Sequence, residues 1–479
     1  MVAVVWFRHD LRLTDHPALD AAIKTDQPIL PLYIYDQTCS RPIGGAAQWW
    51  LHHSLIDLQN NLKKCKADLI LRQGNALDVF KEIHKEIKIS HIFWHHRYDQ
   101  EGRQQDQDIE KYFTEQKVEG QSFNGSLMFD SKKFQTKEGN AFKVFSPFWK
   151  FCVKQDNVAK PLPCPISLKF DSSLKVVSEP LDSFKLLPTQ LTWTQGIEDI
   201  WTPGEQGAQV LFTEFLDEKL SRYKSERDQP AALAISDLSP HIHWGEISPR
   251  QLWHRVRERS VIDHCEKSGE CFLKELGWRD FSYYTLLHYP KIATQPLKKE
   301  FEDFPWTDDK SLFQAWTKGQ TGYPLVDAGM RQLWQTGYMH NRLRLVVASF
   351  LIKDLFISWQ EGEKWFWDTL VDADLANNPF NWQWVAGCGT DASPYFRVFN
   401  PILQSKKFDA QGKYIREWVP ELCDVPDEFI HEPWLMENKV KNYPSPIVDH
   451  YKSRDKALHI FETMSKASRS KMISKEDEE

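Results

Sequence analysis

Asp372-Ala-Asp-Leu-Ala-Asn-Asn-Pro-Phe-Asn-Trp-Gln-Trp384 brings two carboxylates, three asparagines and two indoles into thirteen residues. A helix that merely covers a core shows one apolar stripe and a charged opposite face. This segment mixes amides, acids and large aromatics instead, which ordinary helix surfaces rarely need. Two strings of the same kind precede it. In Phe272-Leu-Lys-Glu-Leu-Gly-Trp-Arg-Asp-Phe281, the residues Glu275, Trp278 and Arg279 recur at i, i+3 and i+4 and share one helical face. Gly322-Tyr-Pro-Leu-Val-Asp-Ala-Gly-Met-Arg331 is followed by Met339-His-Asn-Arg-Leu-Arg344, where Asn341 and Arg344 lie one turn apart. Taken singly, each string has a plain structural account: an ion pair beside a core indole, a helix cap, solvated arginines. Around and within them, eight of the chain's 20 tryptophans fall between Trp306 and Trp384. Trp is a costly core filler because its N–H needs a partner.

Around these strings the pattern is helical. Leu343, Val346, Val347, Phe350, Leu351 and Leu355 follow i, i+3, i+4 spacing. The first 130 residues read differently. Val2 to Phe7, Ile29 to Tyr35, Leu69 to Leu71 and Ile92 to Trp94 are short apolar runs, separated by amphipathic stretches such as Gln48 to Lys64. Strand and helix in alternation imply a parallel sheet covered on both faces, a Rossmann-like α/β layer. No G-x-G-x-x-G follows any of the strands, so no dinucleotide fingerprint is present. Between the two patterns, Pro161, Pro163, Pro165, Pro180, Pro188 and Pro203 prevent a long helix and predict a wrapping linker. The expected domains are therefore α/β at 1–130, a linker at 131–202 and a larger all-helical domain at 203–479.

The bulk numbers agree with two folded domains: 479 residues, 41% hydrophobic and 27% charged. A net charge of −7 argues against a general polyanion binder, although a local basic groove can still capture DNA. The 8 cysteines are scattered without a C-x-x-C pair, which spells neither a zinc site nor a disulfide framework. No metal, no membrane span and a cytoplasmic location with reduced thiols are the expectations.

The three strings, with the opening Val5-Trp-Phe-Arg-His-Asp-Leu-Arg12, resemble the photolyase/cryptochrome family in order, spacing and wording across nearly the whole chain. The resemblance implies an antenna-type sheet domain and a helical domain holding FAD. It implies light-driven repair of cyclobutane pyrimidine dimers in DNA, by electron transfer from photoexcited reduced flavin. Glu275 and Asn341 match residues that hydrogen-bond the dimer, and Trp278 and Trp384 match the indoles that pack against it. Trp382, Trp359 and Trp306 match the electron-transfer chain. Tyr223, Ile235, Ser236, Asp237, Leu238, Ser239, Phe272, Arg279, Arg344, Asp372, Asp374 and Asn378 match the flavin-binding set, with Asn378 facing flavin N5. Arg227, Arg342, Arg397 and Lys407 are candidates for phosphate contacts. Damaged DNA is the implied partner of a monomer that needs no protein partner.

Three positions depart from the family pattern. Ile235 stands where many relatives have threonine, and Leu345 where dimer-repair enzymes commonly have methionine. Glu101-Gly102 replaces the Asn-Glu pair of class I folate binders, while Gly45-Ala-Ala-Gln-Trp-Trp-Leu-His-His-Ser54 looks like the class III branch. The antenna expected is methenyltetrahydrofolate rather than a deazaflavin. Two other functions remain open on the same fold: a blue-light photoreceptor of the cryptochrome kind without repair activity, and repair of six-four photoproducts. Asn378 is the residue of repair enzymes, which favours catalysis over signalling. A histidine pair is usual in six-four enzymes where this chain reads His340-Asn341.

Overall fold

A computed structural model describes residues 1–155, 158–188, 193–391 and 396–476. Five strands form one parallel sheet: β1 (Val2–Phe7), β2 (Ile29–Tyr35), β3 (Ile70–Gln73), β4 (Ile89–His95) and β5 (Glu119–Phe123), in the order β3-β2-β1-β4-β5. The central β1 is buried along its whole length, as a continuous apolar run covered on both faces must be. Helices Pro17–Lys24, Gly45–Lys64, Ala76–Glu86 and Gln100–Glu115 supply the crossovers. β5 goes beyond the four strands expected: Glu119-Gly-Gln-Ser-Phe123 is a mostly exposed edge strand with no apolar run to announce it. The proline-rich segment does wrap. Glu179 N–H donates to Leu71 O at 2.8 Å, and Leu71 N–H donates to Ser178 Oγ at 3.0 Å, which closes the free edge of β3.

Helices dominate after residue 203, and Leu343, Val346, Val347, Phe350, Leu351 and Leu355 are all buried as their spacing requires. No helix among the described residues is long and apolar enough to cross a membrane. The chain separates into two compact units, 1–224 with 235–290 and 371–374, and 225–234 with 291–370 and 375–479. This partition cuts across the boundaries expected from composition. The reason lies in buried polar contacts between the sheet region and the segment 241–250. Arg12 Nη1 donates to Gly245 O at 2.8 Å, Trp50 Nε1 donates to Glu246 Oε1 at 3.0 Å, and Arg250 Nη2 pairs with Asp15 Oδ1 at 2.5 Å. Gly245 has φ +67°, and a Cβ there would stand 2.3 Å from His9 O, so only glycine lets these backbones meet.

Candidate functional site

The first unit holds one part of the candidate set. Tyr223 and Phe272 are buried with ring centroids 5.6 Å apart. The Ser236–Ser239 turn passes through Asp237, a non-glycine residue at φ 54°, and burial pushes the Asp237 carboxyl up to about 6. Leu238 is fully buried, Ile235 and Ser236 are half-buried, and Ser239 is exposed. Ser239 Oγ donates to Asp372 Oδ2 at 2.6 Å, joining two segments that are distant in sequence. Asp372 and Asp374 are both buried. Arg279 is anchored by Nη1 to Ser126 O at 2.6 Å, with its guanidinium 4.8 Å from the Tyr283 ring centroid. Glu275 is half-buried on the Glu266–His288 helix. Trp278, one turn further on, stacks on Phe145 at 3.8 Å with planes 13° apart, so one face of this indole is covered by the protein itself.

The second unit holds the rest. Asn378 is buried in the first turn of the Asn377–Ala386 helix, and its Nδ2 donates to Glu363 O at 3.0 Å and to Glu363 Oε1 at 2.8 Å. Trp384 is half-buried and donates through Nε1 to Asp391 O at 3.1 Å. Asn341 is exposed at the start of the Asn341–Ser349 helix. His340 caps that helix by accepting Arg342 N–H at Nδ1, and burial drives its ring down to about 4. Arg344 is held by Nε to Met339 O at 2.7 Å, over the Tyr338 ring at 5.1 Å.

Of the indoles expected to carry electrons, Trp382 and Trp359 are buried and Trp306 is half-buried, its ring 4.1 Å from Phe304. Trp382 contacts Phe366 at 5.0 Å and Trp316 at 6.4 Å. Trp316, which no motif in the sequence singles out, opens a run of rings through Phe313 at 5.8 Å and Trp365 at 6.3 Å to Trp334 at 5.9 Å. Trp334 is exposed. Its only sequence signal is membership of the dense Trp306–Trp384 stretch.

Two of the four phosphate candidates meet. The cationic heads of Arg342 and Lys407 lie over the same Phe408 ring, at 4.6 and 4.9 Å. Arg342 Nη2 also pairs with Asp228 Oδ1 at 2.8 Å, beside the half-buried Arg227. Arg397 is exposed, 5.2 Å over Phe399.

The donor set suits FAD. Hydroxyls and guanidinium groups are donors suited to phosphates, carboxylates are acceptors suited to sugar hydroxyls, and an amide suits a flavin ring edge. A different cluster has the composition of a metal site: Asp10, His16 and His95 are buried, with ligand atoms all within 4.8 Å. Its hydrogen bonds argue otherwise. Leu19 N–H donates to His16 Nδ1 at 3.0 Å and Ala18 N–H donates to His95 Nε2 at 3.4 Å. Each ring proton is therefore on the inward nitrogen, facing Asp10 Oδ2 at 3.1 and 2.7 Å, where a metal would need a lone pair.

Residues 3–166 match the family model described as DNA photolyase, and residues 272–463 match that described as FAD binding domain of DNA photolyase. A deoxyribodipyrimidine photo-lyase of Agrobacterium fabrum is 44% identical, over 97% of this chain and 98% of that protein. Cryptochrome-1 of Arabidopsis thaliana is 35% identical, over 94% of this chain and 69% of that protein. The crystal structure of a bacterial class III photolyase from Agrobacterium tumefaciens superposes with a TM-score of 0.93, covering 97% of this chain and 98% of that one. With its parallel sheet, its tryptophan-rich helices and these matches along almost its full length, the chain belongs to the DNA photolyase/cryptochrome family, whose helical domain binds FAD.

Proposed function

We propose that this protein is a light-driven enzyme that repairs cyclobutane pyrimidine dimers in DNA. The observation that carries the reading is Asn378, buried and oriented by Glu363, at the position that faces flavin N5 in the family. When bound, reduced FAD supplies the light-gated electron that splits the cyclobutane ring. The chain's own residues hold and shield the participants. Tyr223, Ser236, Leu238 and Ser239 bind phosphates, and Arg344, Asp372 and Asp374 hold the ribityl and ring system, with Phe272 and Arg279 beside them. Ile235 lacks the hydroxyl of a threonine, so one phosphate hydrogen bond is given up there.

Flipping the lesion from the duplex costs a few kcal/mol, less where stacking is already poor. Stacking worth about 1–3 kcal/mol per base offsets it. Trp384 and Trp278 supply the stacking, while Glu275 and Asn341 hydrogen-bond the dimer. Arg227, Arg342, Arg397 and Lys407 contact phosphates. Trp382, Trp359 and Trp306 return electrons from the surface, and the rings from Trp316 to Trp334 give a second way out from Trp382. Methenyltetrahydrofolate is the antenna proposed for the sheet domain. A monomer acting alone on damaged DNA completes the reading.

The test is illumination of chemically reduced, FAD-loaded protein with dimer-containing DNA. Recovery of intact thymines in light and not in darkness is expected. A flavin-loaded protein that responds to light and leaves dimers intact would instead be a photoreceptor. Trp382→Phe separates the two electron tasks: photoreduction should be lost, and repair by the dithionite-reduced protein retained.

A further inference from the structure

A lysine ammonium is expensive to bury, and when buried it is ordinarily paired with a carboxylate. Lys353 breaks that pattern. It is 1% exposed, and the adjacent Asp354 pairs instead with His450 Nδ1 at 2.6 Å. Lys353 Nζ donates to the backbone carbonyl of Arg397 at 2.5 Å and lies 4.4 Å from the Phe396 ring centroid. Four residues earlier, the buried Ser349 Oγ accepts the Phe399 N–H at 3.1 Å. Between these two groups the helix widens into a π turn, Phe350–Asp354, closed by Leu355 N–H on Phe350 O at 3.1 Å. Such turns recur at functional positions. An apolar side chain would fill the space of Lys353 without the cost of a buried charge, so the ammonium is kept for what it holds.

What it holds is one short segment. Phe396 and Phe399 are buried, and Phe396 stacks on Phe461 at 4.6 Å with planes 9° apart. Arg397, between the two anchored rings, is exposed. Asn400 then caps the Pro401–Phe408 helix by accepting Ile402 N–H at 2.9 Å and Leu403 N–H at 3.0 Å, and that helix carries Lys407. Lys353 and Ser349 therefore grip the backbone from which the Arg397 guanidinium projects and which leads into Lys407. A shift of the Arg397 carbonyl carries its side chain with it.

We propose that Lys353 is a positioning residue for DNA binding, whose buried ammonium, together with Ser349, clamps the backbone that presents Arg397 to a phosphate. The inference rests on the reading that Arg397 contacts DNA. Lys353 is enclosed and meets no phosphate itself; it acts through the Arg397 carbonyl. Its charge adds a dependence on pH. Burial holds the ammonium down to about 7, while Cys388 and Asp354 oppose that shift and Arg397 adds to it. His450, paired with Asp354, and Lys298, near Cys388, complete the charged surroundings. A phosphate drawn to Arg397 favours the charged amine, so binding takes up a proton. The affinity contributed by Lys353 is therefore complete below about pH 7 and is lost as pH rises through the higher value reached in the complex.

The test is binding of FAD-loaded protein, in darkness, to a fluorescent duplex carrying one thymine dimer, followed by anisotropy against salt and from about pH 6 to about 8. Native protein is compared with Lys353→Met, Ser349→Ala, Arg397→Ala and the double variant Lys353→Met/Arg397→Ala. Methionine fills the space of the lysine stem without its charge. Lys353→Met should weaken binding about tenfold at pH 6, the weight of one hydrogen bond made by a charged group. It should also flatten the decline of affinity toward pH 8 and lower the slope of log affinity against log salt by up to about 0.9, the signature of one lost phosphate contact. A merely structural lysine would move neither the salt slope nor the pH profile. In the Arg397→Ala background there is no guanidinium left to present, so Lys353→Met should change nothing further. Native affinity and salt slope in Lys353→Met, or its full loss repeated in the double variant, overturns the role of Lys353. Should Lys353→Met fail to fold, Ser349→Ala decides alone: a weakened affinity with a lower salt slope upholds the clamp, and native values overturn it. If Arg397→Ala itself leaves affinity and salt slope unmoved, the reading of Arg397 as a DNA contact fails, and the inference falls with it.

Discussion

Asp10 with His16 and His95, in the first unit, and Asn378 with Glu363, in the second, are both small clusters of buried polar groups. They differ in how they are completed. In the histidine cluster Asp10 Oδ1 accepts Arg8 N–H, Oδ2 lies 3.1 and 2.7 Å from His16 Nε2 and His95 Nδ1, and the remaining ring nitrogens take the backbone N–H groups of Leu19 and Ala18. Its polar atoms all face one another or the neighbouring backbone, although the contacts of Asp10 Oδ2 with the two rings are ion-pair distances and not well-formed hydrogen bonds. At Asn378 both amide protons are used on Glu363, and the amide oxygen takes no part in that contact. A polar cluster that closes on itself holds the fold, and one finished except for a single directed atom is built for a ligand.

Breaking the closed cluster should have the largest effect on stability. Asp10→Ala leaves two inward ring N–H groups buried without an acceptor, and should cost about 3–5 kcal/mol in urea denaturation. A flavin retained by this variant should keep its native potential. Gly362→Ala probes the other cluster from behind. Its new methyl would press on Trp382, and overpacking of that kind costs about 1–3 kcal/mol. Photoreduction should slow more than repair by pre-reduced protein, because Trp382 is displaced and the lesion contacts are not.

Acid should find the histidine cluster next. Burial, and then the neighbouring His16, holds the His95 ring down to about 3, against 6.5 in an unfolded chain. Below pH 6.5 the unfolded chain takes up a proton that the folded chain refuses. The stability contributed by His95 is therefore complete above that value, and is lost progressively as pH falls from 6.5 toward about 3. Between pH 7 and 5.5 the loss from this residue should be about 1 kcal/mol, and His95→Asn should show a correspondingly shallower decline. Asn378→Ser should have the smallest effect on stability, under about 1 kcal/mol, while moving the flavin potential.

Much of this was legible in the chain. β1 and β2 announced themselves because strands buried on both faces must be apolar throughout, whereas β5, polar and at the edge, could not. The string around Asn378 stood out by its company of acids, amides and indoles, and the family resemblance marked Asn378 within it, but neither pointed to Glu363. A glutamate in Trp359-Gln-Glu-Gly-Glu363 reads as one more solvated charge until packing shows it enclosed. Lys353 and Asp354 likewise interrupt an apolar run and yet both are buried. Lys353 Nζ donates to Arg397 O, and Asp354 Oδ1 pairs with His450 Nδ1 at 2.6 Å. The stack of Trp278 on Phe145 was equally out of reach, because nothing local to Trp278 names a partner so far away in the chain. Sequence pattern reports which face of an element is buried, and it does not report which distant group completes a hydrogen bond.

The most direct test of the contrast between closed and open clusters is the flavin content and potential of three purified proteins: native, Asp10→Ala and Asn378→Ser. One FAD per chain is expected in the native protein, with a potential unchanged by Asp10→Ala and lowered by Asn378→Ser. A native chain that binds no flavin, or a potential that follows Asp10 and ignores Asn378, would contradict the account.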